Sequence, residues 1–316
     1  MITNPRDIRV LVRSAGEQGT AIIQRLKYCQ FTVLACDTKA PSTVRRTIAF
    51  STTINTKKSI TVEGITGCYC ETQEEAQTML SRRLSNYLPI IIDPSMRCLS
   101  WYRPHVIVDA IIAKKNIGLC PSLAPLTIGL GPGFSAPVDC SVVIETNRGH
   151  LLSRIITKGE ASPNTHCPGV IMGCSTERVL RSPCSGYIHV LKDIGSHVEK
   201  KESVAILFES KDDYNEHISR ISATELKEKK SFDHHDEPKS SLSHHVVEIP
   251  AKISGMVRGM LHEGFYVPRK GFKVGDIDPR DDSSYIKKIS DKGRALSGSV
   301  VCVILKWWSE GKLAFK

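Results

Sequence analysis

The stretch Thr127–His150, TIGLGPGFSAPVDCSVVIETNRGH, contains two apolar runs that each end in polar chain. We predict two buried strands here, Leu126–Leu130 and Cys140–Ile144. Strands that are apolar throughout are typical of parallel sheets covered on both faces, and ligands bind such sheets outside the carboxyl ends of the strands. The stretch therefore predicts a crevice at this sheet edge. The simpler interpretation is a pair of tight turns with solvated side chains.

The polar chain after each strand supplies candidate binding and catalytic groups. Gly131 and Gly133 leave the first loop free to bend and to bring its backbone close to a phosphate. The second loop contains an acid, an amide, a guanidinium and an imidazole, on Glu145, Asn147, Arg148 and His150. We interpret the acid and the imidazole as acid/base candidates, and the guanidinium as a group that offsets the charge of a phosphate.

The N-terminal segment has the order of a dinucleotide-binding unit: strand, glycine turn, helix, strand and acid. Gly16 and Gly19 allow close approach of a phosphate to the helix N-terminus, and Asp37 is spaced to take a ribose hydroxyl. Ser14 stands where the first glycine of the motif is expected. Nucleotide binding and a purely structural turn both remain open for this segment.

Several basic or reactive residues lie outside these two regions. Arg45 and Arg46 follow Asp37 and either hold a phosphate or form a solvated basic face. Lys114-Lys115, after the strand His105–Val108, are interpreted as solvated helix ends, and the alternative is that they reach an anion. The segment Gly159–Cys174 is too rich in proline and glycine for a long helix, and its reactive side chains are those of Asn164, His166 and Cys167.

The second half of the chain carries a repeat, in which Ser185-Gly186 aligns with Ser254-Gly255 and the following residues match at a constant offset. This pattern resembles the barrel-sandwich of biotinyl and lipoyl domains, although no modifiable lysine stands in a carrier position. The charged, His-rich stretch Glu209–His245 between the repeats is predicted to be a disordered or loosely helical insertion.

The predicted architecture has three parts. Residues 1–178 form a Rossmann-like α/β domain with a parallel sheet. Residues 179–275 form a β-rich barrel-sandwich domain of the biotinyl/lipoyl type, interrupted by the insertion 209–245. Residues 276–316 form a C-terminal segment whose helix, Ala295–Trp308, docks on the first domain and brings charged residues to the mouth of the crevice: Asp278, Arg280, Asp291 and Lys292.

The amino-acid composition indicates which kinds of partner and which cellular compartment suit this chain. The chain has 43 Lys and Arg residues against 33 Asp and Glu residues, and this net charge of +10 favours an anionic ligand or partner. Aromatic residues make up only 6% of the chain, a content that does not favour nucleic-acid binding. The eleven cysteines are scattered, which is typical of a reducing cytoplasm, and their spacing does not predict a metal site. No apolar run is long enough to span a membrane.

Nine motifs, read together, resemble the YqeB-type accessory family of selenium-dependent molybdenum hydroxylases. They are collinear over nearly the whole chain: AGEQGT, VRRTIAF, VDAIIAKKN, IGLGPGF, VIETNRGH, PNTHCPG, ERVLRSP, KVGDIDPR and ISDKGRA. The resemblance implies a role in maturing a molybdenum hydroxylase that needs a labile selenium, and it implies a Rossmann-like N-terminal domain. Ser14 and the His-rich insertion depart from the family pattern.

Three functions follow as hypotheses. The first is an accessory or maturation protein that binds a nucleotide or a molybdopterin dinucleotide in the crevice and acts on a molybdenum hydroxylase. The second is an independent NAD(P)-dependent oxidoreductase that uses Glu145 and His150. The third is a non-catalytic scaffold that binds a partner protein.

Overall fold

The computed structural model describes residues 2–228 and 246–313, which divide into two compact units. The first unit combines residues 1–169 with residues 284–316, so both ends of the chain belong to it. The second unit is Val170–Ser283.

The strands of the described residues, in chain order, are β1 Arg9–Arg13, β2 Thr32–Asp37, β3 Ile60–Val62, β4 Ile65–Tyr69, β5 Tyr87–Ile92, β6 Val106–Asp109, β7 Leu126–Leu130, β8 Ser135–Ala136, β9 Val142–Ile144, β10 Ile155–Ile156, β11 Gly159–Glu160, β12 Val179–Arg181, β13 Gly186–Val190, β14 His197–Val198, β15 Ser203–Phe208, β16 Val246–Pro250, β17 Gly255–Met260, β18 Tyr266–Val267 and β19 Lys273–Asp278. The α-helices are α1 Glu17–Tyr28, α2 Thr52–Thr56, α3 Gln73–Ser81, α4 Leu99–Tyr102, α5 Lys211–Glu228 and α6 Asp291–Ser309. Short 3-10 helices cover Pro5–Asp7, Arg46–Ile48, Pro121–Leu123 and Ser283–Lys287.

A nine-stranded sheet organises the first unit, in the order β10-β9-β7-β6-β1-β2-β5-β4-β3. The seven strands from β9 to β4 pair in parallel. Strands β2 to β5 lie on one side of β1, and β6, β7, β9 and β10 lie on the other side of β1. The carboxyl ends of β6, β7 and β9 therefore lie at one edge of the sheet, as expected for a ligand-binding edge. The strand predicted over Leu126–Leu130 is confirmed.

The prediction of a Rossmann-like parallel sheet is wrong, because the sheet is mixed and has an antiparallel strand at each border. At one border, β3 and β4 are joined by Glu63-Gly64, both with positive φ (43° and 84°). Such a two-residue turn joins antiparallel strands, whereas parallel strands need a long crossover. At the other border, β10 folds back on β9, so the ETNRGH loop joins two antiparallel strands instead of leading into a helix.

Both faces of the sheet are covered, since alternate residues of the central strand β1 are buried in two different apolar clusters. Val10 and Val12 of β1 point into one buried cluster with apolar residues of α1 and α6. Leu11 points into a second buried cluster, with residues of α3 and α4. The apolar sequence of the strand thus follows from burial on both sides.

Helix α6 packs closely against α1 within the first unit. Gly293 permits this approach, since a Cβ there would lie 2.8 Å from the Cβ of Ala21. Ser290 caps the helix by accepting a hydrogen bond from the Gly293 N–H at 3.2 Å. The packing places the first turn of α6 beside the sheet edge where the loops after β6 and β9 begin.

The second unit contains two separate four-stranded antiparallel sheets, ordered β12-β19-β17-β14 and β16-β15-β13-β18. The prediction of a barrel-sandwich domain of the biotinyl/lipoyl type is wrong, since these strands form small separate sheets. Backbone packing explains why a glycine follows serine in both copies of the repeat. Gly186 and Gly255 each open a strand at positive φ, where a Cβ would lie 2.6 Å and 2.5 Å from a backbone oxygen of the neighbouring strand.

Part of the predicted insertion 209–245 is helical, because α5 covers Lys211–Glu228. The rest of that insertion, including its paired histidines, lies outside the described residues. None of the helices in the described part of the chain is long and apolar enough to span a bilayer.

Replacing Gly19 with alanine should destabilise the first unit. The added Cβ would lie 2.0 Å from the backbone oxygen of Ser14, so α1 must shift away from the turn after β1. We expect a loss of about 1–3 kcal/mol in the free energy of unfolding, measured by urea denaturation. Gly298→Ala in α6 is the matched control, since its Cβ meets nothing within 4 Å; it should be neutral or stabilising by up to ~1 kcal/mol. Equal effects of the two substitutions would contradict the close contact at Gly19.

Candidate functional site

A cavity of about 240 Å³ lies at the carboxyl edge of the nine-stranded sheet. Its walls come from the loops after β6, β7 and β9, from the segment 162–169 and from the first turn of α6. Among the described residues that line it, every charged one is a cation: Lys114, Arg148 and Lys292. We call this cavity the cation pocket.

Glu145 forms the floor of this region without lining the cavity. Its side chain is fully buried at the end of β9. One carboxylate oxygen accepts hydrogen bonds from the N–H groups of Thr146 and Asn147, both at 2.7 Å, and the other accepts from the N–H of Ser162 at 2.6 Å. Burial raises the pKa of Glu145, but these hydrogen bonds outweigh it and hold the pKa below its usual range.

These contacts bear on the acid/base role predicted for Glu145 from the sequence, which stays a prediction. A fully buried carboxylate whose two oxygens are both occupied is poorly placed to exchange a proton with a substrate. It instead ties the loop after β9 to the segment that begins at Ser162. The other predicted acid/base residue, His150, is exposed in the same loop and is not among the residues that line the cation pocket.

Arg148 reaches across to α6. Its guanidinium binds the Asp291 carboxylate in a bidentate manner, with N–O distances of 2.6 and 3.1 Å. Gly169 leaves room for the side chain, because a Cβ there would lie 2.8 Å from the Arg148 Cδ. The pair is largely exposed, so it contributes little to stability, but it fixes where the guanidinium lies at the rim of the cation pocket.

The two lysines of the cation pocket differ from Arg148, because within the described residues neither Lys114 nor Lys292 makes an ion pair or a side-chain hydrogen bond. Burial lowers the pKa of Lys292, and the positive charges of Arg148 and Lys114 lower it further, against the opposite effects of Glu17 and Glu145. Cations are thus held near one another with incomplete compensation. An anion in the cavity would relieve this repulsion.

The segment 162–169 closes one side of the cation pocket. It supplies Asn164, Thr165 and Cys167 to the lining. The Asn164 amide nitrogen lies 3.0 Å from a ring nitrogen of His166, and the Thr165 hydroxyl donates to the Cys167 carbonyl at 3.4 Å. Cys167 itself is exposed. Across residues 2–228 and 246–313, no group of three or more His, Cys, Asp or Glu side chains is arranged to hold a metal ion.

The glycines of the loop after β7 shape the cation pocket from behind. Gly131 has a φ of 78°, and a Cβ there would lie 2.4 Å from the Thr146 hydroxyl. Gly133 has a φ of 102° and packs on the backbone of Lys115, where a Cβ would lie 2.5 Å away. Only Pro132 between them lines the cavity. The two glycines therefore serve close packing of the loops that carry the lining residues.

The N-terminal turn does not supply lining residues: neither of its predicted glycines, Gly16 and Gly19, lines the cation pocket. The Asp37 carboxylate accepts hydrogen bonds from the N–H groups of Ala15 at 2.7 Å and Thr38 at 2.8 Å. Burial raises the pKa of Asp37, and these hydrogen bonds act in the opposite direction. Asp37 thus holds the glycine turn in shape, which is the structural interpretation that the sequence left open.

The two arginines after Asp37 are also not among the residues that line the cation pocket. Arg45 is buried and donates to the backbone oxygens of Tyr285 at 2.9 Å and Lys288 at 3.3 Å. It therefore anchors the chain that leads into α6. Arg46 opens a short 3-10 helix and is partly exposed.

The cation pocket thus brings together only part of the predicted site. Asn147 and Arg148 line it. Lys114 also lines it, although the sequence favoured a solvated lysine over one that reaches an anion. Its position five residues after the strand β6 was the available signal. The sequence predicted that Lys292 reaches the mouth of the crevice if the C-terminal helix docks on the first domain. That helix, α6, packs within the first unit.

Comparison with known proteins gives a relative of unknown function. No family model matches the sequence. The chain is similar to Escherichia coli YqeB. That protein, described as uncharacterised, is 34% identical over 307 residues, an alignment that covers 97% of this chain and 49% of YqeB. The chain thus spans about half the length of the curated relative it matches.

Solved structures give only weak similarities. An aspartoacylase family protein from Mesorhizobium loti aligns with 87% of this chain and 85% of its own, at 9% identity and a TM-score of 0.22. A succinylglutamate desuccinylase from a Silicibacter species covers 85% and 84%, at 11% identity and a TM-score of 0.23. The product-bound ectoine utilization protein from Ruegeria pomeroyi covers 39% and 27%, at 17% identity and a TM-score of 0.20. Scores this low carry no inference about fold or activity.

Replacing Glu145 with glutamine should loosen the floor of the cation pocket. The amide keeps one acceptor but turns N–H donors toward backbone N–H groups, so we expect a loss of about 1–3 kcal/mol in the free energy of unfolding at pH 7. The native pKa is depressed, so the ionised carboxyl stabilises the fold above its usual pKa of 4.5, and this contribution is lost as the pH falls further. The difference between wild type and Glu145→Gln should therefore shrink below that pH in urea unfolding curves.

The exposed Glu160 provides the control for this experiment, since Glu160→Gln should change stability by less than about 0.5 kcal/mol. A Glu145→Gln protein as stable as wild type at pH 7 would show that the three hydrogen bonds do not hold the loops.

Proposed function

We propose that this chain is an accessory protein in the maturation of a selenium-dependent molybdenum hydroxylase, and that it binds an anionic ligand in the cation pocket. The candidate ligands from the sequence are a nucleotide, NAD(P) included, and a molybdopterin dinucleotide. The observation that carries the binding proposal is the convergence of Lys114, Arg148 and Lys292 on one cavity. The pathway is supported by the motif resemblance; the relative that the chain matches over 97% of its length, YqeB, is described as uncharacterised.

The charge distribution favours an anion over a neutral ligand. Three cations come from the loop after β6, the loop after β9 and α6, and only Arg148 has a carboxylate partner among the described residues. Bringing cations together at a partly buried site is unfavourable in the absence of a counter-charge. The helix dipole of α6 adds partial positive charge at the same end. An incoming anion would be stabilised by all of these groups.

An accessory role is preferred over an independent oxidoreductase because of Glu145. That alternative relied on Glu145 and His150 as an acid/base pair. Glu145 is fully buried and its carboxylate is occupied by backbone N–H groups. The polar groups that do face the cation pocket, among them Asn147 and Asn164, are better suited to binding than to proton transfer.

Ligand binding should depend on the two lysines. Thermal unfolding with NAD(P), ATP, CTP and molybdopterin dinucleotides should reveal at least one stabilising ligand, worth about 2.7 kcal/mol at a hundredfold excess over its Kd. The double variant Lys114→Gln/Lys292→Gln should lose that stabilisation. Lys115→Gln, a neighbouring lysine that does not line the cavity, is the matched control and should keep it.

The maturation role is tested in cells that carry a selenium-dependent molybdenum hydroxylase and lack the gene for this chain. Hydroxylase activity should return with the wild-type chain and with Lys115→Gln, and it should not return with the double variant. Normal activity after deletion would contradict the accessory role. Normal activity with the double variant would contradict the site. Turnover of a nicotinamide cofactor without any hydroxylase would instead support the oxidoreductase.

A further inference from the structure

The cation pocket is small for the ligands that the sequence suggested. Pockets that enclose a drug-sized molecule measure about 300–1,000 Å³, whereas this cavity measures about 240 Å³. NAD(P) and a molybdopterin dinucleotide each join two large groups through a pyrophosphate, and both are larger than a drug-sized ligand. The cavity therefore has room for a headgroup and a small body, and the remainder of any larger ligand would lie outside it.

The charge of the cation pocket indicates which headgroup fits. The Arg148 guanidinium is already bound to the Asp291 carboxylate through two short contacts. Lys114 and Lys292 make no ion pair with any residue that the structure describes, and the carboxylates of Glu17 and Glu145 offset the charge of Lys292 only through space. No acidic residue lines the cavity among the described residues. The site thus suits an anionic headgroup that both lysines can contact, and a dianion more than a monoanion.

A phosphomonoester has this charge and concentrates it on three oxygens of one phosphorus, about −1.5 to −2 at pH 7. Each phosphorus of NAD or of a molybdopterin dinucleotide is bonded through oxygen on both sides and carries a single negative charge, whereas NADP has in addition one phosphomonoester. A carboxylate also carries only one negative charge. Each lysine ammonium has three N–H donors, and the exposed amide of Asn147 adds a neutral donor at the same wall. These donors suit the three oxygens of a terminal phosphate.

We infer that the cation pocket binds the terminal phosphate of a small phosphomonoester, with Lys114 and Lys292 as its two counter-charges. The inference rests on the proposed function, since it uses the same site, and it narrows the ligand class. A nucleotide fits it through a terminal phosphate and NADP through its phosphomonoester, whereas NAD and a molybdopterin dinucleotide do not fit it. Arg148 lies at the rim, where its pairing with Asp291 keeps it in place.

The test uses isothermal titration of the purified full chain with ribose 5-phosphate, inorganic phosphate, dimethyl phosphate and NAD. Ribose 5-phosphate and inorganic phosphate should bind. Dimethyl phosphate, a monoanion of similar size to inorganic phosphate, should bind about tenfold more weakly or worse, and so should NAD. Lys114→Gln and Lys292→Gln should each weaken ribose 5-phosphate binding about tenfold or more, and Lys115→Gln should leave it unchanged. Urea unfolding of each variant checks that it is folded.

The outcomes separate the two proposals. NAD binding that matches or exceeds ribose 5-phosphate binding, and that is lost in Lys292→Gln, would overturn the phosphomonoester inference and leave the anion site standing. Equal binding of inorganic phosphate and dimethyl phosphate would also overturn it. Absence of binding by every anion, or binding unaffected by either lysine substitution, would remove the proposed site together with the inference.

Discussion

The geometry of the cation pocket depends on one buried carboxylate. Glu145 accepts hydrogen bonds from Thr146 and Asn147 in its own loop and from Ser162 in a segment further along the chain. Hydrogen bonds to an ionised acceptor are stronger than those between neutral groups, and burial raises the cost of losing them. The carboxylate therefore holds two loops together from below, while the side chains above it remain free to face a ligand.

The mixed sheet explains why this carboxylate is structural. In a fully parallel sheet the chain after β9 would enter a crossover helix, and its first polar residues would face the crevice. Here the chain folds back into β10, and the Glu145 N–H donates to the Arg154 carbonyl at 3.0 Å. The return turn draws Glu145 inward and leaves Asn147 and Arg148 outside. One antiparallel strand at the border of the sheet thus divides the loop into a buried part and a ligand-facing part.

Helix α6 supplies the part of the site that is furthest away in sequence. Gly293 lets it approach α1, and the cap at Ser290 begins the helix beside the sheet edge. As a result, Asp291 forms an ion pair with Arg148, and Lys292 lines the cavity. Arg45, predicted to hold a phosphate, instead binds the backbone just before this helix. Its guanidinium thus helps to place α6, and it also pairs with Glu17 at 3.4 Å.

The sequence by itself determined the local elements. The strand Leu126–Leu130 and the turn that leads into α1 follow from apolar runs and glycine positions that act over a few residues. The helix start at Thr72, whose hydroxyl accepts from the Glu75 N–H at 3.2 Å, follows from the same kind of local pattern. Arg148 was also found, because it stands next to a predicted strand.

Only the tertiary structure decided what surrounds each polar group. The pairing of β10 with β9 buried Glu145, and the packing of α6 brought Lys292 to Lys114 across more than half of the chain. Charge and hydrogen-bonding capacity are properties of a residue, and the sequence shows them. Burial and the identity of a partner depend on which distant segments meet, and no local pattern encodes that.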